Sequence, residues 1–346
     1  MSPRLPAALI ASAVVGAALS LPSHAAPPPP NPQMKAVLDS LAALKPKPVE
    51  KLTPAEARKQ PGPPDAVKAL LKKQGKPTTP EPVGSVKDTT VPGPAGTIPV
   101  RVYTPAGSGP FPVLVYFHGG GWVIAGINAY DSSGRALANA AKAVVISVGY
   151  RSAPEARFPA AHEDSYAATQ YIIKNAAMFG GDPKRVAVGG ESAGGNLATA
   201  VCLMAKDRKG AMPVYQLLVY PVTDSSLAYP SVEQNAKAKP LNKPMLAWFF
   251  KYTLKKPSDA KSKYLAVINN PGLKGLPPAT VIGAEIDPLR DEGKAYVGKL
   301  KAAGVPVRYK LYPGITHEFF GMTAVLDASK DAVQFAAQGL QTAFNK

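Results

Sequence analysis

Cysteine is nearly absent from this chain. Cys202 is the only one in 346 residues, so no internal disulfide can form. It lies inside an apolar stretch, where a small thiol serves as filler. Long hydrophobic runs are also scarce. Ala7 to Leu19 is a largely apolar run of 13 residues, too short and too Ala-rich for a membrane-spanning helix. Acidic residues are in deficit: 23 Asp and Glu stand against 40 Lys and Arg, a net charge of +17. The basic residues are scattered, with mild density near Lys68 to Lys76 and Lys251 to Lys263. Without a clustered basic and aromatic face, a nucleic-acid partner is not expected, only attraction to anionic surfaces. Histidine is rare as well, at four residues, and this scarcity narrows the chemistry below.

What is present reads as globular composition, 46% hydrophobic and 18% charged. Met1 to Ala25 has the form of a secretory leader: Arg4 near the start, the apolar run, and small residues Ser23-His24-Ala25 before a mature start at Ala26. An uncleaved N-terminal anchor is the alternative. No Cys follows the run, which argues against lipid attachment there. Export to the periplasm or medium is the expectation, and stable membrane insertion is not.

Residues 26 to 33 form a Pro-rich tether, expected to be extended. Residues 34 to 83 hold short helical pieces separated by prolines. Met34 to Leu44 is apolar on one face, Thr53-Pro54-Ala55-Glu56 has helix-start chemistry, and Ala66 to Lys73 is a further short helix. They are too short to fold alone and should cap something larger. From residue 84 to 346 strands alternate with helices. Strands are expected at Ile98 to Tyr103, Val113 to Phe117, Ala143 to Val148, 185 to 189, Gln216 to Tyr220, Ala279 to Ala284 and Val307 to Leu311. Helices are expected at Ser132 to Ala141, His162 to Ala177, 193 to 206, Leu289 to Ala303 and Val325 to Ala343. This alternation predicts an α/β fold, with a mostly parallel sheet covered on both faces. Residues 224 to about 270 break the rhythm and form a cap or lid insertion at the ligand end of the sheet. No internal repeat is visible.

The apolar run Arg185-Val186-Ala187-Val188-Gly189 leads into Gly190-Glu191-Ser192-Ala193-Gly194, which has the form G-x-S-x-G. Between a strand and a helix this pattern makes a tight turn that exposes the serine oxygen. A serine nucleophile needs a base, and in this chain order the acid and the histidine follow the serine. His24 falls in the leader, and His118 and His162 lie upstream. Only His317 lies downstream of Ser192. The acid should follow a strand between the two. Asp287, just before Pro288, is the first candidate and Asp291 the second. Asp291 and Glu292 fall within the following helix, where exposure or ion pairing is expected. Asp287 would hold the imidazole tautomer. His118-Gly119-Gly120-Gly121-Trp122 follows another strand end. A glycine loop lets backbone N–H groups approach a developing oxyanion. The donors should be Gly120, Gly121 and Ala193, with His118 organising the loop. The loop lacks the Lys and Ser/Thr of a Walker phosphate motif.

These motifs resemble the hormone-sensitive-lipase-like branch of the α/β-hydrolases, the bacterial esterases with an HGGG loop. The resemblance covers roughly residues 84 to 345. It rests on His118-Gly119-Gly120-Gly121, Tyr150-Arg151-Ser152-Ala153-Pro154-Glu155, the run from Gly190 to Gly195, Asp287-Pro288-Leu289-Arg290-Asp291-Glu292-Gly293, and His317-Glu318-Phe319. It implies that Ser192, Asp287 and His317 form the triad and that short- or medium-chain acyl esters are the substrates. It implies neither a metal nor an organic cofactor. The family also has an N-terminal helical cap, matching residues 34 to 76. Its Tyr-Arg motif is structural, and a pairing of Arg151 with Glu155 is expected. The family more often has Asp where this chain has Glu191, Leu in place of Ser152, and Gly in place of Glu318. A charge at Glu318 would raise the pKa of His317 if it faces the site. Two alternatives stay open: a non-catalytic binding protein on the same fold, and an acyltransferase or amidase using the same triad. A homodimer is left open too.

Overall fold

The computed structural model describes residues 27–345; the leader expected over residues 1 to 25 lies outside them. Three helices come first: α1 (Pro32–Ala43), α2 (Pro54–Ala57) and α3 (Pro63–Lys73). Each has a local reason to start where it does. The Asn31 side chain accepts from the Met34 N–H and Pro32 is the first residue of α1. The extended tether therefore ends sooner than expected. Thr53 and Glu56 form a reciprocal capping box at α2.

The sheet strands are β1 (Ser85–Gly93), β2 (Gly96–Thr104), β3 (Phe111–Phe117), β4 (Val144–Val148), β5 (Gly181–Glu191), β6 (Gln216–Val219), β7 (Ala279–Ile286) and β8 (Val307–Thr316). Between and after them run α4 (Asp131–Ala141), α5 (Ala160–Lys174), α6 (Ala193–Asp207), α7 (Pro230–Gln234), α8 (Lys243–Thr253), α9 (Arg290–Ala302) and α10 (Asp327–Phe344). The strands form one sheet in the order β1-β2-β4-β3-β5-β6-β7-β8. β1 with β2 and β2 with β4 are antiparallel; every other pair is parallel.

Alternation along β3 explains the layering. Val113, Val115 and Phe117 enter one hydrophobic core, and Leu114 and Tyr116 enter the other. All five are fully buried. Both faces are thus covered, as near-continuous apolar strands require. β1 was not anticipated. It is an edge strand with only Val91 buried and a Pro at residue 92, so it lacks the apolar alternation that marks a half-buried strand.

The N-terminal pieces pack on the sheet domain and not on a core of their own. Met34, Val37, Leu41, Ala66 and Leu70 join one of the two cores, and Ala57 the other. The Asn31 N–H donates to Gly314 O, and the Trp248 indole on α8 donates to Leu52 O. The 224–270 insertion contributes α7 and α8. Asn196 on α6 ties both its ends down, donating to Val222 O and Leu265 O. Among the described residues, no helix is long and apolar enough to cross a membrane.

Candidate active site

β5 runs straight into α6 through Ser192, with no loop between them. The turn holds Ser192 at φ 58°, ψ −118°, a region that residues with a Cβ seldom occupy. Such a turn requires small neighbours. A Cβ on Gly194 would lie 1.9 Å from Phe117 O, inside any contact distance. The serine also sits at the N-terminal end of α6, where the helix dipole is positive.

His317 follows β8 and Asp287 follows β7, at the same end of the sheet as Ser192. The His317 Nε2 lies 3.0 Å from Ser192 Oγ, and its Nδ1 lies 2.7 Å from Asp287 Oδ2. The Asp287 carboxylate is an acceptor on that side, so Nδ1 carries the proton and Nε2 is free to accept from the serine hydroxyl. Ser192, His317 and Asp287 are 6%, 2% and 0% exposed. Burial lowers the His317 pKa, but the Asp287 carboxylate opposes it most strongly, with Glu318 and Glu191 adding. The net shift is upward. Asp287 does not cap the helix; its Oδ1 accepts from the Leu289 N–H at 2.8 Å, in the turn that leads into α9. One carboxylate thus serves both the ring and that turn.

Asp291, the second acid candidate, is not brought to His317. Its oxygens take the Arg290 guanidinium and the Ser231 N–H. Glu292 departs from expectation: it is neither exposed nor ion-paired. It is 1% exposed and accepts from the Thr223 and Asp224 N–H groups. Burial without a cation pushes its pKa well up. The expected Arg151–Glu155 pair is also absent. Arg151 binds Asp164 through two guanidinium nitrogens, while Glu155 is taken by Arg58 from the end of α2.

The glycine loop lies beside the serine. Gly120 and Gly121 line the same cavity as Ser192 and His317, about 390 Å³ in volume. Both have positive φ, and a Cβ on Gly121 would meet the Phe249 ring at 2.2 Å. Among the described residues, neither glycine N–H donates to a backbone carbonyl. Ala193 follows the serine at the first position of α6. His118 is buried, and its ring bonds Gly119 O and Tyr150, not Ser192. Its Nδ1 sits 2.8 Å from Gly119 O, its ring stacks on Tyr150 at 4.2 Å, and burial pushes its pKa down to about 4. His162 bonds Asn196 and is likewise pushed to about 4 by burial.

Four residues around the site were given no role by sequence reasoning, Glu191 being noted only as a departure from the family pattern. Glu191 is buried beside the serine, and the hydroxyls of Tyr116 and Tyr220 both donate to it. Burial first, then the Glu318 charge, raises its pKa to about 7. Tyr220 packs its ring 4.5 Å from that of His317. Tyr130 donates to Glu318, whose Oε1 lies 3.7 Å from His317 Nε2. A lone acid closing an apolar strand was the available signal for Glu191; nothing in the tyrosine spacing marks the others. No group of three or more His, Cys, Asp or Glu among the described residues is arranged to hold a metal ion.

A mostly parallel sheet with a serine, a histidine and an aspartate linked at its strand ends defines the α/β-hydrolase class. Comparison with known proteins agrees. A family model described as alpha/beta hydrolase fold matches residues 114–321. The chain is 40% identical over 252 residues to the Carboxylesterase NlhH of Mycobacterium tuberculosis, spanning 72% of this chain and 79% of that protein. It is 34% identical over 319 residues to the ethyl acetate hydrolase of Pseudomonas putida, spanning 90% and 98%. The solved structure of a hyperthermophilic esterase from the archaeon Pyrobaculum calidifontis aligns with a TM-score of 0.83 at 36% identity, covering 91% of this chain and 99% of that one. The chain belongs to the alpha/beta hydrolase family, in its hormone-sensitive-lipase-like branch.

Proposed function

We propose that the protein is a serine carboxylesterase that hydrolyses short- to medium-chain acyl esters through an acyl-enzyme on Ser192. The observation that carries this reading is the buried chain Ser192 Oγ–His317–Asp287, with contacts of 3.0 and 2.7 Å, opening on a cavity of about 390 Å³. His317 takes the serine proton as Oγ attacks the ester carbonyl, then returns it to the leaving alkoxide. A water activated by the same imidazole hydrolyses the acyl-enzyme. The N–H groups of Gly120, Gly121 and Ala193 receive the oxyanion; such a donor is worth on the order of a hundred- to a thousandfold in turnover. His118 holds the glycine loop through its contact with Gly119 O.

Apolar side chains from the insertion, Leu241, Met245 and Phe249, stand in the cavity wall with Ile124 and Ala57. Such a wall suits an uncharged acyl chain, and the volume lies at the small end of ligand pockets. The relatives named as a carboxylesterase and as an ethyl acetate hydrolase support the same substrate class. The test is hydrolysis of p-nitrophenyl acetate and butyrate by wild type and by Ser192→Ala. Loss on the order of a millionfold in the variant is expected. Equal rates in the two proteins would refute Ser192 as the nucleophile.

The leader-like sequence at residues 1 to 25 supports export to the periplasm or medium. Its check is the N-terminal sequence of protein recovered from each cell fraction, with Ala26 as the expected first residue.

A further inference from the structure

Glu318 occupies a backbone position that does not favour it. Its φ is 67°, in the left-handed region where glycine is at ease and a side chain is crowded. Glycine would satisfy this turn without strain. The chain instead carries a carboxylate there and aims it at the reaction centre. Glu318 Oε1 lies 3.7 Å from His317 Nε2, the nitrogen that also faces Ser192 Oγ at 3.0 Å. The Tyr130 hydroxyl fixes the group, standing 2.8 Å from both carboxylate oxygens. Glu318 and Tyr130 line the cavity that contains Ser192, and they also line a second cavity of about 550 Å³ that does not contain it.

We infer that Glu318 is a positioning residue for the hydrolytic water, holding that water against His317 so that the acyl-enzyme is transferred to water in preference to alcohols. The inference rests on the esterase reading. Once Ser192 is acylated its hydroxyl proton has gone, and Nε2 is free for a new donor. Two acceptors 3.7 Å apart can both be reached by one water at hydrogen-bond distances of about 2.8 Å. The water then points one proton at Nε2 and the other at Glu318. Its oxygen attacks the acyl carbon, and the first proton passes to Nε2 as the new C–O bond forms. The bond from carbon to Ser192 Oγ breaks, and Oγ takes that proton back. The second proton stays on the product acid, so Glu318 neither gains nor loses one.

An alcohol acceptor has one hydroxyl proton, and Nε2 needs it. It has none for Glu318. The carboxylate should therefore favour water over alcohols, and its removal should erase that advantage. The experiment is a partition assay. Wild type, Glu318→Gly and Glu318→Gln hydrolyse p-nitrophenyl butyrate in buffer containing graded methanol, and methyl butyrate and butyric acid are quantified by gas chromatography. Glycine suits the backbone at this position and glutamine keeps the volume, so the two variants fail for different reasons if folding is at fault. The expected result is a fall in the acid-to-ester ratio of roughly three- to tenfold in Glu318→Gly, the fold-change of one hydrogen bond, and a smaller fall in Glu318→Gln, which keeps an oxygen to accept from the water. The ratio is internal to each sample and does not depend on how much enzyme is folded. A structural role would slow acylation and both deacylation routes together and leave it unmoved. A wild-type ratio in Glu318→Gly overturns the inference while the esterase reading stands. Absence of turnover in wild type overturns both.

Discussion

Arg58 grips Glu155 through both guanidinium nitrogens, at 2.8 and 2.7 Å, and joins the N-terminal cap to the loop after β4. The same side chain donates to Val123 O beside the glycine loop and to Ala153 O. Glu155 is 64% exposed and Arg58 32%, so the charge attraction is largely screened. The two carbonyls matter more, because the bonds to them are part-buried while those to Glu155 are exposed. Glu155→Gln should cost less than about 1 kcal/mol. Arg58→Ala should cost about 1–3 kcal/mol and raise KM more than it lowers kcat. Denaturant titration and steady-state kinetics of the two variants check the ordering; equal losses would contradict it.

The acid limb of the pH–rate profile should report His317. The imidazole acts as a base only when neutral. Burial works to keep it so, while Asp287, then Glu318 and Glu191, raise its pKa overall. Activity should therefore fall as pH drops through that raised value. Glu318→Gln removes one negative charge facing Nε2 and leaves Asp287 in place. The acid limb of kcat/KM should move to lower pH. A limb that stays put, or moves up, would remove Glu318 from the electrostatics of the base.

Glu292 offers a stability test with the opposite logic to an ordinary carboxylate. Its pKa is raised by burial, so the folded chain holds the proton more tightly than the unfolded chain does. That contribution is fully present below the unfolded value of about 4.3 and is lost as pH rises through the raised folded value. Glu292→Gln keeps an oxygen for the Thr223 and Asp224 N–H groups without the charge. Its Tm should match or trail wild type near pH 4 and gain on it steadily toward pH 8. A difference independent of pH would refute the assignment.

Gly194→Ala tests the elbow. The added methyl would sit 1.9 Å from Phe117 O and 2.6 Å from His118 O, both backbone atoms that cannot swing away. The cost should exceed about 4 kcal/mol, in the tail of single-substitution effects. Soluble yield and thermal melting give the readout. Near-wild-type melting would mean that the turn can open.

The inner parallel strands, β3 to β7, were legible because their apolar runs are buried on both faces, and unbroken runs such as Val113 to Phe117 announce that. The serine, acid and histidine were legible through chain order and through the shortage of histidines. β1 was not, since an edge strand with one buried residue carries no periodic signal. Partner choices were not legible either. Arg151 and Glu155 are four residues apart, yet their real partners, Asp164 and Arg58, are set by how the cap and α5 pack. Glu292 looked like a solvated helix residue because its burial comes from the distant 223–224 turn.

The Trp248 indole resting on Leu52 O has a broader meaning. The roof over the serine is assembled from two stretches nearly two hundred residues apart, and neither has a core of its own. The catalytic floor is welded into the sheet; the roof is only leaned against it. Drift in the roof can therefore retune which molecules are admitted while leaving the folding of the floor untouched. Members of such a lineage would be expected to diverge first in diet and last in chemistry.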